Sequence, residues 1–202
     1  MTSVITGDII SSRNIKNPEE WLEPLKKVFV GITSNRDWEI YRGDSFQIEI
    51  KDIRETFLMS TLIKSTIKKI KELDVRMAIG IGEKTHDAAS ISESNGSAFI
   101  YSGEKFETLK EQKINLAIKT GHKELDDELN LYFKLALIAM DNWTKSSAEI
   151  VKISIENPDL SQEEVGHLIG IKQSAVSERI KRASFDEIME LDCMYRKKIG
   201  IL

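Results

Sequence analysis

Two carboxylates each follow a glycine at the end of an apolar run: Asp8 in "VITGDII" and Asp44 in "YRGDSFQ". If the fold brings two such carboxylates together they repel, unless something positive lies between them. A Mg²⁺ ion suits the pair, because it takes oxygen ligands and keeps positions open for water and bound phosphate. Asp44 also has a purely structural reading, since Gly43-Asp44 suits the tight two-residue turn of a β-hairpin. Arg13 and Arg42 stand close in sequence to the two aspartates. They could bind phosphate beside Gly43, or neutralise the carboxylates as structural ion pairs. A second set of polar groups lies near the C-terminus, where Lys172, Gln173, Ser174, Ser177, Lys181 and Arg182 fall within one short helical stretch. Cations mixed with short hydrogen-bonding side chains are the chemistry that reads phosphates and base edges of DNA.

Other chemistries are disfavoured. His86, His122 and His167 have no metal-ligand spacing, and the lone Cys193 excludes an internal disulfide framework. The 202 residues are 41% hydrophobic and 31% charged, with net charge −4, so a general affinity for polyanions is not expected. No apolar run is long enough to span a bilayer and the start carries no export signal, which together with the single cysteine points to a cytoplasmic protein.

The elements that must hold these residues follow from periodicity. "SVITGDII" reads as a buried strand, and "PEEWLEPLKKVFVGI" as a helix with Trp21, Leu25, Val28 and Phe29 at helical spacing. "WEIYRGDSFQIEI" alternates as a hairpin, with Trp38 and Ile40 on the same face as Phe46, Ile48 and Ile50. "DIRETFLMSTLIKSTIKKIKEL" is an amphipathic helix with its lysines expected outward. In "DVRMAIGIG", Val75, Met77, Ile79 and Ile81 face helices, while Ala78, Gly80 and Gly82 leave the other side bare of bulk. A helix over "NGSAFIYSGEKFETLKE" and a strand over "KINLAIKT" complete this part. Ser94, Asn95 and Gly96 either open that helix toward a ligand phosphate or are an ordinary helix start.

This order of elements is that of a split βαβ unit with one added pair. It predicts an α+β protein with a ferredoxin-like antiparallel sheet over residues 1–121, in which Asp8 and Asp44 come close on one edge. From His122 the pattern is all-helical, with connecting helices over 122–157 and a last domain over 158–202. There, "LSQEEVGHLIGIKQSAVSERIKRA" combines a capping box (Ser161 and Glu164), a crossing glycine (Gly166) and a turn glycine (Gly170). Val165, Leu168 and Ile169 are the expected buried face of the first helix, and Val176, Ile180 and Ala183 that of the second. This is the layout of a helix-turn-helix, with its second helix suited to the DNA major groove. One weakly basic module holds DNA poorly at physiological salt, so a homodimer is expected. "LYFKLALIAM" either supplies its interface or packs on its own chain.

Three resemblances add to this reading. "ITGDII", "YRGDSFQ" and "VRMAIGIG" are similar to the strands and Gly-Asp hairpin of the palm-type domains of class III nucleotide cyclases and diguanylate cyclases. That resemblance implies a nucleotide ligand and Mg²⁺ held by Asp8 and Asp44, with Arg13, Arg42, Gly43 and Lys105 as phosphate contacts. The late-helix asparagine and arginine of those cyclases have no counterpart, and Lys105 is the only cation near their place; turnover as a nucleotidyl cyclase or nucleotidyltransferase is the less favoured alternative to regulation. The segment 160–183 resembles bacterial helix-turn-helix domains. Over nearly its full length the chain resembles the SatD family of small bacterial proteins, through "GDIISSR", "YRGDSFQ", "DVRMAIGIG", "ESNGSAF" and "QSAVSERIKRA". This implies a bacterial cytoplasmic protein with a regulatory role.

Overall fold

The computed structural model describes all of residues 1–202. One sheet contains β1 (Thr2–Ile10), β2 (Trp38–Tyr41), β3 (Ser45–Ile50), β4 (Asp74–Gly82) and β5 (Leu116–Lys119), in the order β2-β3-β1-β4-β5. Eight helices accompany it: α1 (Glu19–Ile32), α2 (Thr56–Lys68), α3 (Ser97–Gln112), α4 (Lys123–Met140), α5 (Lys145–Glu156), α6 (Gln162–Ile169), α7 (Gln173–Arg182) and α8 (Phe185–Ile199). The protein is therefore α+β. Its sheet is mixed rather than wholly antiparallel as expected, because β4 and β5 run parallel while every other pair is antiparallel. The cause is α3, a crossover that returns the chain in the direction it left.

The strand alternation sorts the two faces. Ile5, Ile48, Val75, Met77, Ile79 and Ile118 point to the face covered by α1 and α2, inside a core of 34 buried residues. On the other face, the bare side of β4 receives α3 at very short range. A Cβ on Gly80 would lie 2.1 Å from the Ala98 carbonyl oxygen, and one on Gly82 2.7 Å from the Ala98 nitrogen. Glycine is needed there so that a helix backbone can rest directly on the strand.

The sequence places the lysines of α2 outward, and for Lys64 this is wrong. Its side chain is 0% exposed, with Nζ 2.7 Å from both Asp74 and Asp141. The reason is that α2 has no solvent face at its middle: the sheet and α1 lie on one side, and α4, α5 and α8 on the other. Phe57 of α2 stacks on Phe133 of α4 at 5.0 Å, with Tyr195 of α8 against both. Burying such a ring contributes about 2–3 kcal/mol, enough to offset holding one paired charge inside. The same core continues without a break from Ile5 to Ile199. Helix α8 was not singled out by sequence, although Phe185, Ile188, Tyr195 and Ile199 carry its periodicity.

The hairpin is also looser than expected. Tyr41 pairs with Ser45, so Arg42, Gly43 and Asp44 together form the loop in place of a two-residue Gly-Asp turn. Arg42 (φ 53°) and Gly43 (φ 91°) both take left-handed backbone, which glycine accepts freely and arginine at some cost.

Candidate functional site

Asp8 sits near the end of β1, in register with Arg76 on β4 and Ser45 on β3. It lies on the α3 side of the sheet, since Thr6, two residues earlier, bonds Ser102 of α3. The Arg76 Nε is 3.5 Å from Asp8 Oδ1, yet that oxygen is buried and has no hydrogen-bond donor. Burial pushes the Asp8 carboxyl above the usual aspartate range; Arg76 opposes this, Asp44 adds to it, and Lys110 opposes it. Asp44 directly precedes Ser45, the residue paired with Asp8 across the sheet. The two aspartates are further joined through the backbone, because Ile9 N–H donates to the Asp44 carbonyl at 3.0 Å.

The Asp44 carboxylate accepts from the Ser12 hydroxyl at 2.6 Å. Next to it is a cavity of about 260 Å³ lined by Ser12, Arg13, Ile15, Pro18, Trp21, Arg42, Gly43 and Asp44. The guanidinium groups with ion-pair partners are those of Arg36, Arg54, Arg76, Arg179, Arg182 and Arg196, so Arg13 and Arg42 are free. Trp21 is 1% exposed and its indole N–H has no acceptor. Of the two carboxylates only Asp44 lines this cavity; with two unpaired arginines and an unsatisfied N–H beside it, this end of the sheet is suited to an anion that brings its own cation. The donor set fits Mg²⁺ in its usual phosphate-bound mode, with one or two carboxylates and the rest water and phosphate. No group of three acidic, histidine or cysteine side chains is placed to hold a metal.

Arg76 and Ser12 were missed by sequence. Arg76 falls on the alternation shared with Ala78 and Gly80, which marked the α3 face, but nothing local said that Asp8 would stand opposite it.

Lys105 does not join this group. It lies in a separate polar cavity of about 340 Å³ with Lys119, Lys123, Asp126, Asp127 and Asn130, and burial holds its ammonium below the usual lysine range. Nor does the start of α3 point at the aspartates. It begins beside Glu83 at the far end of β4, and Ser94 and Asn95 bond only neighbouring backbone.

The C-terminal polar set is built by α6 and α7. Ser161 and Glu164 form the reciprocal capping box, contributing about 1 kcal/mol to so short a helix. Gly170 ends it in left-handed backbone (φ 71°), and Gly166 lets the chain cross close, since a Cβ there would lie 2.7 Å from the Ile171 carbonyl oxygen. Val165 and Val176 are buried between the helices. Leu168, expected inside, is 61% exposed, because the close crossing at Gly166 turns Val165, Gly166 and Ile169 inward and carries Leu168 to the outer side.

On α7, Lys172, Gln173, Ser174, Ser177, Lys181 and Arg182 are all exposed. Arg179 is held instead by Glu149 of α5 at 3.1 Å, and the Trp143 indole donates to the Ala183 carbonyl at 2.9 Å. Two contacts therefore fix the inner face of α7 and leave its outer face free.

The chain is thus an α+β protein in which a five-stranded mixed sheet carries a carboxylate pair at one end and a helical layer presents one polar helix face. It belongs to the SatD family, whose model matches residues 3–190. No curated protein and no solved structure matches it. No helix is long and apolar enough to cross a membrane.

Proposed function

We propose that this protein is a DNA-binding transcriptional regulator in which α6 and α7 form a helix-turn-helix and the sheet forms a palm-like domain that senses a metal-bound nucleotide. The observation that carries the reading is the outer face of α7 and its N-cap: six polar or cationic side chains are exposed there while Val176, Arg179 and the C-cap Ala183 are engaged behind them. Gln173 and Ser174, at the start of the helix, are suited to base edges; Lys172, Ser177, Lys181 and Arg182 are suited to phosphates. The Gln173 side-chain amide donates to Gln162 Oε1 at 3.0 Å, a contact it would exchange for a base. A homodimer doubles the phosphate contacts, as a module this weakly charged needs. Selection from a random duplex library should return a preferred sequence, and Gln173→Ala should relax it at one position per half-site. A library that returns no preferred sequence contradicts the reading.

Support for the sensing half comes from the strand order with β1 central, which is that of a ferredoxin-like palm, and from the cavity beside Asp44. Mg²⁺, when bound, would screen the two carboxylates and carry the phosphates. Asp8 and Asp44 would hold it, and Arg13 and Arg42 would take phosphate oxygens. A second reading, a divergent nucleotidyl cyclase or nucleotidyltransferase, draws on the same aspartate pair. The absence of the late-helix asparagine and arginine weighs against it, whereas the Arg76 counter-charge to Asp8 bears on any cation at Asp8 and so on both readings alike. Incubation with Mg²⁺ and each nucleoside triphosphate separates the two: a sensor leaves the triphosphate intact, and an enzyme releases pyrophosphate.

A further inference from the structure

Helix α4 is apolar on two sides. Leu129, Phe133, Leu137 and Met140 enter the core, whereas Leu131, Leu135 and Ile138 are 55%, 57% and 69% exposed. A stripe of that kind on a soluble protein marks a contact surface. Leu135 and Ile138 of this stripe also form one lip of an open groove of about 400 Å³ between α4 and α8, whose walls include Tyr132, Ala136, Ile188, Leu191 and Met194. Ridge and groove thus lie side by side on one helix. We propose that the groove receives α4 of a second copy of this chain, reciprocally, in a two-fold dimer.

Charge identifies the occupant. At about 100° per residue, Lys134 projects from the edge of α4 away from the groove. It is exposed and has no ion-pair partner; Glu187, on the α8 rim of the groove, is exposed and unpaired as well. When α4 of each copy lies in the groove of the other, its far edge faces the α8 of the second copy, so Lys134 of one meets Glu187 of the other, twice. An isologous interface requires this self-complementarity, with apolar ridge to apolar groove and cation to carboxylate. The groove also reaches Ser184, directly after α7, so the dimer would fix the spacing of the two α7 helices.

This deepens the DNA reading by giving its dimer a surface, but the test needs no DNA, so either can fail alone. Sedimentation equilibrium of the full chain should show a dimer. Leu135→Glu should weaken association by roughly a hundredfold or more while leaving the helical circular dichroism of the chain unchanged, the cost of charging a buried interface centre. Ile138→Lys provides a second variant should the first fail to fold. Lys134→Glu should weaken the dimer, and Glu187→Lys in the same chain should restore it. A monomer at every concentration, a dimer indifferent to both apolar substitutions, or a charge reversal that restores nothing would overturn the proposal.

Discussion

Asp8 concentrates the chemistry of the sheet in one side chain. Its Oδ1 is buried without a donor, and burial raises its proton affinity above the ordinary aspartate value of 3.8. A carboxyl whose folded value is raised makes the folded state take up protons. The charged form therefore costs stability at neutral pH, and that cost disappears as the pH falls through the folded value toward the unfolded one. Asp8→Asn should accordingly melt a few degrees above the wild type at pH 7 without divalent cations, roughly, and lose that advantage near pH 4. Mg²⁺ with a nucleoside triphosphate should raise the melting temperature of the wild type and leave that of Asp8→Asn unchanged. A variant that is destabilised at pH 7, or that still responds to Mg²⁺, would count against a cation site at Asp8. That Asp8 and Asp44 come to the same end of the sheet was legible, because each stands next to a glycine at the end of a strand pattern. Arg76, Ser12 and the unpaired Trp21 indole were not, because their roles depend on which strand lies beside which.

Helix α2 shows where periodicity stops being a guide. Its apolar positions were legible, but a lysine in an amphipathic pattern reads as solvent-facing until a second layer of helices closes over it. Lys64 ties α2 to the start of β4 through Asp74 and to the corner after α4 through Asp141. Lys68 reinforces this, donating to the Asp141 carbonyl at 2.6 Å. Lys64→Met should keep the packing volume and strand the two carboxylates, at a cost of about 2–3 kcal/mol, less than for an isolated buried pair because Lys68 still faces Asp74. Chemical denaturation at pH 7 measures it, and an unchanged midpoint would mean that solvent reaches the cluster. Helices α6 and α7 were read more fully, since capping box, crossing glycine and turn glycine are all local signals. The clear error there, Leu168, came from a phase set by the crossing of two helices and not by the sequence of either, while Ile169 and Ile180, expected inside, are only partly buried.

Across the whole molecule, the helical layer is bound to the sheet layer by more than apolar contact. The Tyr195 hydroxyl donates to the Ile53 carbonyl at 3.0 Å, and Arg196, oriented by Asp192 of its own helix, pairs with Glu55; within the helical layer Lys198 ties α8 to α4 through Glu128 at 2.8 Å. Helix α8 thus brings the end of the chain back to the residues that precede α2. The element order of the sheet was legible, as was the run of helices that follows its last strand. The shared core was not, because partners such as Phe57 and Tyr195 are far apart in sequence. On this platform α7 presents its cations at a fixed orientation, and DNA binding is what that arrangement is proposed to serve. The most direct test is fluorescence anisotropy of a labelled duplex titrated with the full chain across a range of salt. The account predicts an affinity that falls steeply with salt, and a slope that becomes shallower by about one per protomer in Lys181→Ala. No binding at low salt, or the same slope in wild type and Lys181→Ala, would contradict it.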